Sequence, residues 1–297
     1  MLDRLCVPRH IRTMKNLPII ICSGAVLIVS VFAAGWSIAS SDSLSDPALA
    51  AQTLQGTDDA QAGEPGPPLY RSSVVGTEFD FITEEDPSAF ERLEFVGFQK
   101  FEMPDKRKTG KPLVQNAYVF NAHFNDGVNI KIALDQQFGS RVAAEQDAAR
   151  YGPRLGKLPL LYRKVIKHIT VNFDGSDTSA FAEDKGHFFT IYSGNASKRI
   201  GTHDLEETFF HEGTHASIQE AYIDSENWKG AVTRDGGYIT QYAASSRQED
   251  FAESALFAYT IIYHPERFPD SDREKIANAI PNRIEFFRSV FSGQRQM

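Results

Sequence analysis

Residues 204–222 read DLEETFFHEGTHASIQEAY and contain His211-Glu212-Gly213-Thr214-His215. Two histidines four apart lie one above the other on a single helix face, so both imidazoles can reach one ion. Glu212 is turned about 100° from His211, which suits a base acting on water at that ion better than a further ligand. The surroundings predict a helix: Asp204 can serve as N-cap, Glu207 three residues later completes a capping-box-like start, and apolar residues recur at helical spacing. Gly213 lowers helix propensity by about 1 kcal/mol relative to alanine, and its bare backbone can admit a close neighbour.

Two histidines leave a catalytic metal one protein ligand short, so a further carboxylate or histidine is expected on another ordered element. Residues 247–259, RQEDFAESALFAY, predict a second helix. Ser245 or Ser246 can cap it, Phe251, Ala255, Ala258 and Ile262 form its apolar stripe, and Pro265 closes it. Glu249 and Glu253 are again i and i+4. One can bind the ion while the other accepts the N–H of a ligating histidine. Asp250 is expected only to favour the helix dipole. His123 and His187 lack ligand spacing to any other candidate and are expected to be satisfied by ordinary hydrogen bonds.

The combination of H-E-G-T-H with Tyr242, Glu249, Phe251, Ala252 and Glu253, a Tyr-x6-Glu-x-Phe-Ala-Glu pattern, resembles the gluzincin peptidases of the anthrax lethal factor type, a pattern shared by the secreted bacterial Pro-Pro endopeptidases. It spans Asp204 to Pro265, with Asp250 standing where the pattern has an apolar residue. The resemblance implies a zincin-like α+β domain that binds one zinc per chain through His211, His215 and Glu249. It also implies an endopeptidase in which Glu212 is the general base, Tyr242 donates a hydrogen bond to the oxyanion, and Glu253 orients a ligand histidine. Tyr238 competes with Tyr242 for that donor role on position alone. Three other readings stay open: a peptide-binding zinc protein without turnover, an interaction protein with an accidental motif, and a hydrolase of non-peptide amides.

Upstream, residues 117–124 alternate toward the turn Asn125-Asp126-Gly127 and residues 128–134 alternate after it, which predicts a β-hairpin. Residues 139–167 predict helix, interrupted near Gly152-Pro153 and Pro159. Residues 168–173 and 186–194 predict strands, the second lying either at a sheet edge, where an extended peptide can pair with it, or buried within the sheet. At the carboxyl end, Ser271-Asp272 can cap a helix through Phe287, interrupted by Pro281, with Ile276, Ile280, Ile284 and Phe287 on one stripe. A small mixed or antiparallel sheet, a site-bearing helix and a mostly helical carboxyl-terminal half are therefore expected.

Arg4, Arg9, Arg12 and Lys15 precede an uncharged apolar stretch, so residues 1–40 predict a signal peptide or a signal anchor. Positive residues before the stretch favour translocation of the remainder, giving a secreted or periplasmic domain or one anchored outside the cytoplasm. Cys6 and Cys22, the two cysteines, both lie in this leader. Residues 41–70, rich in Ser, Asp, Ala, Gln, Gly and Pro, predict a linker, and residues 71–297 a single metallopeptidase domain. The chain's net charge is -8, and with four basic residues against Asp3 in the leader the remainder carries -11. That balance argues against nucleic acid and leaves a peptide or protein as the expected partner, with membrane contact only through an uncleaved leader.

Overall fold

The computed structural model describes residues 66–108 and 113–293. The expected hairpin forms from β2 (Val114–Phe124) and β3 (Asn129–Asp135), with Phe120 opposite Ile132 and Ala122 opposite Ile130. Gly127 turns it at φ +82, a conformation that favours glycine. Ahead of it lies β1 (Phe90–Glu102), antiparallel to β2 and unforeseen from the sequence. Register shifts at Phe90/Arg92 and Phe95/Gly97 break its alternation, and none of its residues is fully buried, so the period-2 signal is lost.

Helices α1 (Arg141–Lys157) and α2 (Leu160–Val165) connect β3 to β4 (His168–Asn172), which runs parallel to β3. Ser140 caps α1 by accepting the Ala143 N–H at 3.1 Å. The expected interruption at Gly152-Pro153 does not occur; α1 continues to Lys157 and breaks only before Pro159. Close packing accounts for this. A Cβ on Gly152 would lie 2.4 Å from the Phe90 ring and one on Gly156 2.2 Å from Ser88 Oγ. That seating against the start of β1 outweighs a local proline penalty of about 3 kcal/mol.

Two further strands follow, β5 (Phe181–Glu183) and β6 (Phe188–Tyr192). The six-stranded sheet has the order β1-β2-β3-β4-β6-β5, with β6 parallel to β4 and antiparallel to β5. All five residues of β6 are buried, so the alternative of a sheet edge there is corrected: the edge on that side is β5. The strand also stops at Tyr192, because Ser193 begins α3 (Ser193–Gly201).

The remaining chain is mostly helical. Helix α4 (Leu205–Thr214) passes into a π-helical turn, His215–Gln219, and ends as α5 (Glu220–Tyr222). Ser225 caps α6 (Glu226–Asp235) by accepting the Trp228 N–H. Then come α7 (Arg247–Tyr263), α8 (Asp270–Ala279) and α9 (Pro281–Ser292). The carboxyl-terminal expectation is adjusted twice: Asp270 already begins α8 behind Pro269, and Pro281 starts a separate helix that runs beyond Phe287. Trp228 of α6, Phe251 of α7 and Phe287 of α9 pack with ring centroids 4.8 to 5.5 Å apart, which locks these helices together.

The domain is thus α+β, a mixed sheet with helices. Among the described residues no helix is long and apolar enough to cross a membrane. The leader and most of the expected linker fall outside the described residues. Leu69 and Tyr70, at the linker's end, are bonded to the domain: their N–H groups donate to the carbonyls of Tyr238 and Ile239 at 3.2 and 3.0 Å.

Candidate metal centre

Helix α4 is a buried helix, and burial rather than capping sets its start. Asp204 makes no side-chain cap; its carboxylate instead lies 3.4 Å from Arg199 Nη1. Glu207, expected to reach back in a capping box, turns inward and accepts the Ile82 N–H at 3.3 Å. Burial lifts the Glu207 pKa to about 8, because a carboxylate there is poorly solvated. Tertiary contacts have claimed both side chains on which the capping expectation rested.

One turn apart on this helix, His211 and His215 bring their Nε2 atoms within 3.1 Å. Glu249 Oε2 lies 3.0 Å from His211 Nε2 and 3.4 Å from His215 Nε2. The ligand atoms of these three residues all lie within 4.8 Å of one another, a group that could hold a metal ion. Glu249 is placed by the first turn of α7, where Ser246 Oγ accepts the Glu249 N–H at 3.1 Å. Ser245, the other candidate cap, instead donates to the Tyr242 carbonyl. Gly213 faces α2: a Cβ there would lie 3.3 Å from the Tyr162 ring, the close neighbour its bare backbone admits.

The charges of the three groups lean on one another. Burial disfavours a protonated His211, but the hydrogen bond to Glu249 and the carboxylate of Glu253 close by outweigh it and lift the His211 pKa to about 10. Burial opposes ionisation of Glu249 as well, yet its bonds to both histidines hold it well below the usual carboxylate range. The surroundings therefore favour a protonated His211 in a site whose donors, two imidazole nitrogens and a carboxylate oxygen, suit a divalent ion of borderline softness. The side chains of His211, His215 and Glu249 are 10, 12 and 22 % exposed, which leaves the group open on one side.

That side faces a cleft of two lobes, about 290 and 300 Å³, which share Lys106, Ala180, His211, Glu212 and Tyr242 as walls. Burial raises the Glu212 pKa, with His211, His215 and Lys106 acting against it. Tyr242 is half exposed, its ring centroid 5.9 Å from that of His211. Partial burial and the neighbouring Glu249 push its phenol far above the ordinary range, so it stays a proton donor. Tyr238 lines a separate hollow with Trp228 and Val232. Phe181 and Ala182 of the edge strand β5 border the second lobe.

Glu253 lies one turn beyond Glu249 and is fully buried. Its Oε1 is 3.2 Å from His211 Nδ1, at an angle that leaves both atoms short of a formed hydrogen bond. Its Oε2 accepts from the Val74 N–H and the Thr240 hydroxyl. His215 Nδ1 meets Gln219 Oε1 at 2.6 Å.

Gln219, Thr240, Val74 and Lys106 escaped the sequence reading. Only Gln219 carried a signal, sitting four residues beyond His215 on the same face. His123 pairs with Glu94 and His187 with the Ala216 carbonyl, and neither belongs to the metal group. Asp250 does more than favour a dipole: it is buried and pairs with Arg283 of α9 at 2.8 Å.

No family model matches the chain, and no solved structure matches it. It is similar to conidiation-specific protein 13 of Neurospora crassa, 28% identical over 113 residues. That match covers 35% of this chain and 30% of the relative, so the chain matches less than a third of that protein's length.

Proposed function

We propose that this chain is an exported zinc-dependent endopeptidase with a zincin-like fold. The observation that carries the reading is the meeting of His211, His215 and Glu249 within 4.8 Å, beside Glu212 and open to a cleft. Bound by these three residues, zinc would supply Lewis acidity toward water and toward a scissile carbonyl. Glu212 takes the proton of the attacking water and returns it to the leaving amine; its raised pKa brings it closer to the range in which a group can do both. Tyr242, held protonated, donates to the developing oxyanion. The outer edge of β5, the last strand of the sheet among the described residues, lies beside the cleft and offers its main chain to an extended peptide. The expected leader supports a site of action outside the cytoplasm.

The test is digestion of a peptide library by wild type and Glu212→Gln. Wild type should cleave internal peptide bonds, while Glu212→Gln should keep its metal and lose at least about a hundredfold in rate, the scale of a general base. Equal cleavage by both proteins would remove Glu212 from the mechanism; metal without cleavage of any peptide would leave a binding protein.

A further inference from the structure

Among the described residues, every hydrogen bond to the Glu253 carboxylate comes from outside the two helices that carry the metal group. Oε2 accepts the Val74 N–H at 2.8 Å and the Thr240 hydroxyl at 2.7 Å, and Thr240 Oγ1 in turn accepts the Ala243 N–H at 2.9 Å. With that oxygen held twice, the carboxylate plane is fixed and Oε1 is left facing His211 Nδ1 at 3.2 Å. Thr240 is fully buried and Val74 nearly so.

Val74 belongs to a strap, residues 69–76, that runs beside the loop carrying Tyr242. Besides the Leu69 and Tyr70 bonds, the Gln241 N–H donates to the Tyr70 carbonyl at 2.8 Å and the Tyr242 N–H to the Ser72 carbonyl at 3.3 Å. Ser73, Val74 and Val75 also line the lobe of the cleft next to His211 and Glu212. One segment thus fixes the Tyr242 loop, walls the cleft and holds the carboxylate behind a metal-binding histidine.

We infer that Val74, through its backbone N–H, and Thr240, through its hydroxyl, are positioning residues for the metal centre. Together they aim Glu253 so that His211 keeps its proton on Nδ1 and presents the Nε2 lone pair to the ion. The inference rests on the metal-site reading above. An outer-shell partner such as Glu253 is worth about 10- to 100-fold in metal affinity, and here the strap, 179 residues from Glu253 in the chain, supplies one of the two bonds that aim it.

The backbone allows a selective test. Ser73 is extended, with φ -107 and ψ 175, the conformation a residue before proline requires. Val74 opens a short 3-10 turn, where proline's fixed φ is accommodated and the turn does not use the N–H. Val74→Pro therefore deletes the donor while keeping the turn, and Val74→Ala keeps the donor while trimming more of the side chain. Thr240→Val deletes the second donor at constant shape, and Thr240→Ser restores it.

Zinc dissociation constants of the full chain would be measured by chelator competition, alongside thermal unfolding of the metal-free proteins. Val74→Pro and Thr240→Val should bind zinc about 10- to 100-fold more weakly, with Val74→Ala and Thr240→Ser close to wild type. Zinc bound as tightly by Val74→Pro as by Val74→Ala, or by Thr240→Val as by Thr240→Ser, would overturn the inference while leaving the metal site standing. Wild type without zinc affinity would overturn both. Should Val74→Pro fail to fold, the Thr240 pair decides alone.

Discussion

At the scale of the residue, the metal group is a set of donors whose carboxylates favour a protonated His211. The His211 pKa is lifted to about 10, because the carboxylates of Glu249 and Glu253 more than offset the cost of burying an imidazolium. A metal ion requires the neutral imidazole, so below pH 10 binding must expel the proton. Zinc affinity should therefore rise with pH, by about tenfold per unit for one released proton, and level off only near pH 10. Calorimetry in buffers of differing ionisation heat checks this; binding at neutral pH with no proton release would contradict it. His211, Glu212 and His215 were legible because their spacing is set within one helix, by a period that a sequence displays directly. Glu249 and Glu253 were legible as a pair, and the family resemblance distinguished them. Val74 and Thr240 were not legible, because they reach Glu253 through a backbone donor and a hydroxyl whose proximity exists only after folding.

At the scale of the element, one capping serine places the third donor. Ser246 Oγ holds the Glu249 N–H and so sets where α7 begins, and with it the height of Glu249 against α4. Ser246→Ala should lower stability by about 1 kcal/mol and weaken zinc binding in the same protein, measured by urea unfolding and chelator competition. Unchanged values of both would show that packing alone fixes the helix start. The same device could be read from the sequence at Ser246 and failed at Asp204. Ser246 sits at an exposed helix start, whereas the first turn of α4 is buried, and Asp204 and Glu207 answer to Arg199 and Ile82 instead. The hairpin of β2 and β3 was visible through unbroken alternation, while two register shifts hid β1. Strand β6 is a mostly apolar run broken only by Thr190, which shows burial without showing neighbours, so its place inside the sheet required β5 to be seen beside it.

At the scale of the whole domain, a buried ion network ties the metal group to the carboxyl-terminal helices. Arg283 of α9 pairs with Asp235 of α6 at 3.2 Å and with Asp250 of α7 at 2.8 Å, all three side chains almost wholly excluded from solvent. Asp250 directly follows the donor Glu249, so α9 anchors the turn that presents it. Arg283→Ala strands two buried carboxylates and should cost about 3–5 kcal/mol, seen as a lower urea midpoint; an unchanged midpoint would show the network to be dispensable. Charged residues this far inside were not legible as such, since burial of Asp250 and Arg283 follows from helices whose contact the sequence does not state. The central claim is that His211, His215 and Glu249, drawn from two helices, form one metal site. Zinc content per chain of wild type, His211→Ala and Glu249→Ala tests it most directly. One zinc in wild type and its loss in both variants is the predicted result, and undiminished zinc in both variants would contradict it.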